Sequence, residues 1–177
     1  MLQVFAFDKI GVVLSDLYFV DPNPGQGQEG PERGVRLEVR ILSQGELNGS
    51  IYSARPIEVG EPVWRADLLE AADAPGSLNR AHHHPNFHGW EPGKRVFERG
   101  LSSDPVHWVG EQLANLEGLL DSAGLAADAG LAADADDLRA SVPDIERALS
   151  GLLDRVKAGE LAVAPDGEVA SARISWL

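Results

Sequence analysis

The sequence predicts an α+β fold: an antiparallel meander of about six strands, covered by one or two C-terminal helices and followed by a short C-terminal hairpin. Three observations carry this. Strand-like segments with apolar residues at alternate positions follow one another through the first half with no helix between them. Beyond Asp104 the apolar spacing changes to three and four residues, the period of one helix face. The 177 residues, 44% of them hydrophobic, are enough for one domain with a real core, and without cysteine that core has no disulfides to rely on.

Residues 2 to 7 and 10 to 20 are rich in Val, Phe, Leu and Tyr and read as an antiparallel pair. The stretch Asp21-Pro-Asn-Pro-Gly-Gln-Gly-Gln-Glu-Gly-Pro31 is a loop by its Gly and Pro content. It has neither the Gly-Lys-Ser/Thr ending nor the dinucleotide fingerprint of a phosphate-binding loop, and is read as a connection. In the next strand Val35, Leu37, Val39 and Ile41 share one face, while Arg36, Glu38 and Arg40 line an opposite face read as wet. Asn48-Gly49 marks a tight turn. Ser50 to Val59 is taken as a strand that Pro56 pushes to an edge or bulge. Gly60-Glu-Pro62 turns the chain. Pro62 to Glu70 and Leu78 to Phe87 complete the six strands, joined by the loop Ala71 to Ser77.

The helical half opens with Asp104 as cap and Pro105 in the first turn, and Val106, Val109, Leu113, Leu116 and Leu120 form the stripe of a helix from 104 to 122. The duplicated Ala-Gly-Leu-Ala-Ala-Asp of 123 to 134 reads as low-complexity linker. Ser141-Val-Pro-Asp144 starts a second helix, with Ile145, Leu149, Leu152 and Val156 as its stripe and Gly159 as its stop. Leu161 to Ala164 and Glu168 to Trp176 flank the turn Pro165-Asp-Gly167 as a hairpin. Three segments result: 1 to 122 as sheet and packing helix, 123 to 140 as an Ala-, Gly- and Asp-rich linker of high-GC bacterial character, and 141 to 177 as helix and hairpin on the same domain.

Fifteen Lys and Arg against 28 Asp and Glu leave a formal charge of -13. This average field repels phosphate backbones and anionic lipid, so nonspecific nucleic-acid binding and membrane association are disfavoured. No run approaches the roughly 20 apolar residues of a membrane span, and residues 1 to 20 do not match a secretory signal. The protein is expected in the cytoplasm. Any metal would be held by His, Asp or Glu, since thiolates are absent.

The chemistry concentrates near residues 65 to 90, where four of the five histidines fall. Strand alternation places Trp64, Ala66 and Leu68 on a core face, with Arg65 and Asp67 on the other. In the following strand Arg80, His82 and His84 share a face, while Ala81 and His83 share the opposite one. A symmetric loop offers two registers: one sets Arg65 against His84 and Asp67 against His82, and a slip of one residue substitutes Ala81 and His83. Polarity favours the first.

Three uses of this cluster are open. His82-x-His84 on a strand lets two imidazoles reach one divalent transition metal, with His88 or Asp67 completing the site. A metal-free site would use Arg65, Asp67, His82 and His84 catalytically: a histidine takes a proton, Asp67 orients it, and Arg65 or Arg80 binds a small anionic ligand such as a phosphodiester, with His83 and Trp90 at the rim. The third use is structural, with the acidic surface acting as an interaction module for a basic protein partner.

The order Trp64-Arg65-x-Asp67, short loop, His82-His83-His84-Pro85 and C-terminal helix resembles the small TumE-like toxins of toxin-antitoxin systems over residues 50 to 122. That resemblance implies a compact α+β domain and an activity directed at nucleic acid, with Arg65, Asp67 and the histidines as the matching candidates. His82-x-His84 followed by Glu91 is also similar to the first half of a cupin metal motif, with a longer gap to the glutamate and no second motif downstream. The favoured expectation is a small hydrolase or phosphodiester-directed enzyme, with the acidic module and a cupin-like metal-binding protein as alternatives.

Overall fold

The structure is a computed structural model that describes residues 1–126 and 128–165. The predicted α+β class is the one observed. Five antiparallel strands, β1 (Leu2–Ala6), β2 (Ile10–Val20), β3 (Pro31–Gln44), β4 (Ile57–Ala71) and β5 (His82–His84), pair in sequence order as a meander. Two two-residue strands, β6 (Phe87–His88) and β7 (Glu91–Pro92), form a separate small hairpin. Helices α1 (Arg99–Ser103), α2 (Pro105–Ala114), α3 (Leu116–Ser122), α4 (Ala129–Ala132) and α5 (Ala135–Lys157) follow. Among the described residues no helix is long and apolar enough to cross a membrane.

The main sheet has one strand fewer than expected, because the segments read as 50 to 59 and 62 to 70 belong to one strand. Residues 50 to 53 form a turn, closed by the Ser53 amide donating to the Ser50 carbonyl at 2.9 Å. From Ile57 onward β4 runs straight through Gly60-Glu-Pro62. Pro62 is tolerated because the ladder is irregular there: Val39 pairs Trp64, Arg40 pairs Pro62 and Leu42 pairs Val59. A proline lacks a ladder donor, and a bulge is where that lack is least costly. The sixth predicted strand shrinks to His82–His84, because Ala81 donates to Leu78 in a turn at 3.0 Å and Leu78 takes a positive φ of 46°.

One sheet face carries Val12, Leu14, Val35, Leu37, Val39, Trp64, Ala66 and Leu68, all at most 1% exposed. The helices cover this face with Val109, Leu113, Leu138, Ile145, Leu149, Leu152 and Val156. Helix α5 lies against β2 and β3, and α2 packs on α5 while its Trp108 stacks on Trp64 at 6.1 Å between ring centroids. Each fully buried aliphatic side chain contributes about 1.5–3 kcal/mol, so this layer supplies the main drive to fold.

Asp104 caps α2 as expected, accepting from the His107 amide, with Pro105 in the first turn. The predicted helix 104 to 122 is broken at Asn115, whose side chain caps α3 by accepting from the Gly118 amide. The larger correction concerns 123 to 140. This segment contains α4 and the first turns of α5, and Leu131, Ala135 and Leu138 are buried. These three continue the stripe of Ile145, Leu149, Leu152 and Val156 toward the N-terminus, so α5 begins at Ala135 and Pro143 lies inside it. Leu161 to Ala164 form no strand; Ala162 has a φ of 52° and its amide donates to the buried Asp16 carboxylate at 2.9 Å. The second arm of the predicted hairpin, 168 to 176, lies outside the described residues.

Asp134 shows why the supposed linker is fixed. Its carboxylate is 3% exposed and accepts from the amides of Lys9 at 2.7 Å and Ile10 at 2.9 Å, which ties α5 to the β1–β2 turn. Asp134→Ala leaves two amides unpaired, and a loss of about 1–3 kcal/mol is expected in denaturant unfolding. Asp134→Asn, which retains an acceptor, should recover most of it; an alanine variant as stable as the parent would show that the contact is dispensable.

Candidate metal centre

The second face of the sheet is polar and covered. Register sets Val13, Glu38, Arg65 and His84 in one row, and Ser15, Arg36, Asp67 and His82 in the next. This is the β4–β5 pairing that polarity favours, so Arg65 meets His84 and Asp67 meets His82. The face read as wet is instead largely buried: Glu38 is 6% exposed, and the side chains of Arg36 and Arg40 are each only 15% exposed.

Its cover is the segment after β5, where Pro85 ends the strand and β6 and β7 fold back. Phe87 lies over the Arg65 guanidinium at 5.6 Å, Trp90 over that of Arg40 at 5.5 Å, and Phe97 against the His82 ring at 5.6 Å. Reciprocal 2.9 Å bonds between the backbones of His83 and Val96 pin this cover to β5.

Asp67 is the centre of the face. Arg36 Nε donates to Oδ1 at 2.7 Å. Arg65 Nε stands 2.8 Å from Oδ2, yet the pair is misaligned, and both atoms lack a hydrogen-bond partner among the described residues. Proximity makes this an ion pair without making it a hydrogen bond. Burial is the largest influence on the carboxyl and raises its pKa, but the guanidiniums of Arg36 and Arg65 hold it well below the usual carboxylate range. Asp67 is therefore ionised at neutral pH.

Hydrogen bonding fixes the imidazoles. His82 Nδ1 lies 2.8 Å from the Arg80 carbonyl, and His84 Nδ1 lies 2.8 Å from the Gly93 carbonyl. A carbonyl only accepts, so both Nδ1 atoms carry protons. Arg65 Nη2 stands 3.0 Å from His84 Nε2, and a guanidinium only donates, so that Nε2 presents a lone pair. Both Nε2 atoms lie near one oxygen, Asp67 Oδ2 standing 3.4 Å from His82 and 3.6 Å from His84. The three side chains offer donor atoms all within 4.8 Å of one another.

These distances bear on the uses open to the cluster. An aligned charge-assisted bond would be about 2.7–2.9 Å. Two ligands held about 2.0–2.1 Å from a tetrahedral ion stand roughly 3.3–3.4 Å apart, and Asp67 Oδ2 lies 3.4 Å from one imidazole nitrogen and 3.6 Å from the other. A proton relay also needs one imidazole nitrogen on the carboxylate and the other free for substrate. Here the second nitrogen of each ring is tied to a carbonyl, an outer bond typical of metal-ligating histidines.

The other sequence candidates are dispersed. Arg80 lies beyond His82, bonded to the Gly27 carbonyl and 3.8 Å from Glu32. His88 is exposed on β6, and Trp90 is half exposed above Arg40. Arg36 was missed as a site residue; its position opposite Asp67 could be found only by pairing the charges of β3 with those of β4.

His83 faces the core instead, in a box formed by Trp108 at 5.1 Å and Trp64 at 6.1 Å. Among the described residues neither ring nitrogen has a hydrogen-bond partner, Glu98 standing 3.8 Å away, and burial lowers its pKa. His83→Phe removes two unpaired buried nitrogens and should stabilise the protein by about 1 kcal/mol in denaturant unfolding at pH 8; a destabilised variant would show that the imidazole has a polar role. Comparison with known proteins finds no matching family model, curated protein or solved structure, so the chemistry of this face rests on its atoms.

Proposed function

We propose that this protein is a metal-dependent hydrolase for anionic esters, with Asp67, His82 and His84 holding one divalent transition ion. The supporting observation is the approach of two imidazole Nε2 atoms to one buried carboxylate oxygen that is ion-paired with Arg65 but has no hydrogen bond among the described residues, with both Nδ1–H groups anchored on carbonyls. Two nitrogens and one oxygen suit zinc, iron or manganese and leave coordination positions open. An ion in such a site lowers the pKa of bound water toward neutrality and so supplies a nucleophile.

The protein's own groups fit that role. Asp67 is ionised, the Nδ1 atoms of His82 and His84 are held on carbonyls, and Arg36 and Arg65 place two guanidiniums at the carboxylate, where a substrate anion would be neutralised. A phosphodiester is the favoured substrate class, in keeping with the TumE-like resemblance. Substrate would enter by lifting the segment 85 to 97, whose aromatic side chains lie on the site.

Protein dialysed against Zn²⁺ or Mn²⁺ should retain about one equivalent by elemental analysis. His82→Ala and His84→Ala should lose it while remaining folded by circular dichroism. Hydrolysis of bis(p-nitrophenyl) phosphate should depend on the ion and disappear in Asp67→Asn. Folded parent protein that retains no stoichiometric metal under any of these conditions sinks the proposal.

A further inference from the structure

Arg65 occupies a position that is hard to reconcile with a passive role. Its Nη2 stands on His84 Nε2 at 3.0 Å, its Nε lies 2.8 Å from Asp67 Oδ2, and its Nη1 is 3.9 Å from Glu38 Oε1. The side chain is 12% exposed beneath Phe87, so these partners carry most of its polar contacts. Its two nearest partners are donor atoms of the proposed metal centre. One lone pair cannot serve a guanidinium and a cation together.

We propose that a divalent cation displaces Arg65 from His84 and Asp67, and that the released guanidinium then binds an oxyanion beside the ion, so that cation and anion bind cooperatively. This rests on the reading of Asp67, His82 and His84 as metal ligands. Charge makes the coupling necessary. Three guanidiniums, of Arg36, Arg40 and Arg65, already face two carboxylates, of Glu38 and Asp67, and Glu38 is taken by Arg40 at 2.7 Å. A divalent ion adds two further positive charges to a covered face, and uncompensated buried charge is strongly unfavourable. An anion held by the Nη1 and Nη2 edge of Arg65 relieves it.

The forked, planar guanidinium matches two oxygens of one group, which selects phosphoryl or carboxylate oxyanions over halides. Linkage is reciprocal: an anion that prefers the metal-bound protein must tighten the metal by the same factor. Arg65 thus acts as competitor for the ion in one state and as substrate anchor in the other.

Titration of the whole protein with Co²⁺, followed by its visible absorption, tests this in the presence of phenylphosphonate or benzoate. Phenylphosphonate should tighten Co²⁺ binding about tenfold or more. Benzoate alone doing so would assign the site to carboxylates within the same oxyanion class. Arg65→Met, folded by circular dichroism, should bind Co²⁺ at least as tightly as the parent and show no response to either anion. Arg65→Lys keeps the charge without the fork; it should show a reduced response, and it decides the matter if the methionine variant does not fold. A parent that binds Co²⁺ with an affinity indifferent to both anions overturns the coupling while leaving the metal centre standing. Loss of Co²⁺ affinity in folded Arg65 variants overturns the competitor role. A parent that does not bind Co²⁺ overturns the metal reading itself.

Discussion

Asp67 must stay charged in the middle of a sheet, and groups from three strands surround it. Arg36 reaches it from β3, Arg65 from its own strand β4, and His82 and His84 from β5. Side chains on a strand alternate faces, so slipping any of these pairings by one residue would send the partners to the core side and leave the carboxylate bare. Breaking a buried pair costs several kcal/mol because of the charge left behind. The polar face therefore fixes the order and register of β3, β4 and β5 as firmly as the apolar face does. Only three residues of β5 pair with β4, yet the flanking chain is committed to that alignment.

The same alternation splits the histidine run. His82 and His84 enter the charged face, while His83, between them, is pressed against Trp64 and Trp108 in the core. A consecutive run of one residue type thus serves two environments of opposite polarity. Fixing the turn after it is part of the same arrangement: the Gly93 carbonyl that orients His84 belongs to the cover, and the bridge to Val96 runs through the backbone of His83. The site's geometry and its covering segment are joined covalently within about ten residues.

Much of this was legible before any coordinates. Alternation located Arg65, Asp67, His82 and His84 on one face, and polarity alone chose between the two registers. What escaped was whatever depends on partners distant in sequence. Arg36 and Glu38 alternate with apolar neighbours as a solvated strand would, and nothing local announces that Phe87, Trp90 and Phe97 will cover that face. Pro62 argued for a turn because the bulge opposite Arg40 that accommodates it is a property of β3. The repeated Ala-Gly-Leu-Ala-Ala-Asp looked like linker because its composition is simple, although Leu131, Ala135 and Leu138 already carry helical spacing, and Asp134 finds its partners more than 120 residues away.

Folding alone does not account for the polar face. A sheet that needed only a second cover could use apolar residues there, and replacing a buried ion network with well-packed hydrophobic side chains is often neutral or stabilising. Among the described residues this network also leaves Asp67 Oδ2 and Arg65 Nε without hydrogen bonds, and each unsatisfied buried group costs about 1–3 kcal/mol. The unpaired oxygen is the one on which both imidazoles converge, while Oδ1 of the same carboxylate is fully engaged by Arg36. Among the described residues three such atoms lie on this face, Arg65 Nε, Asp67 Oδ2 and Arg80 Nε, and the first two stand 2.8 Å apart beside His82 and His84, where a bound cation would give the carboxylate oxygen a partner.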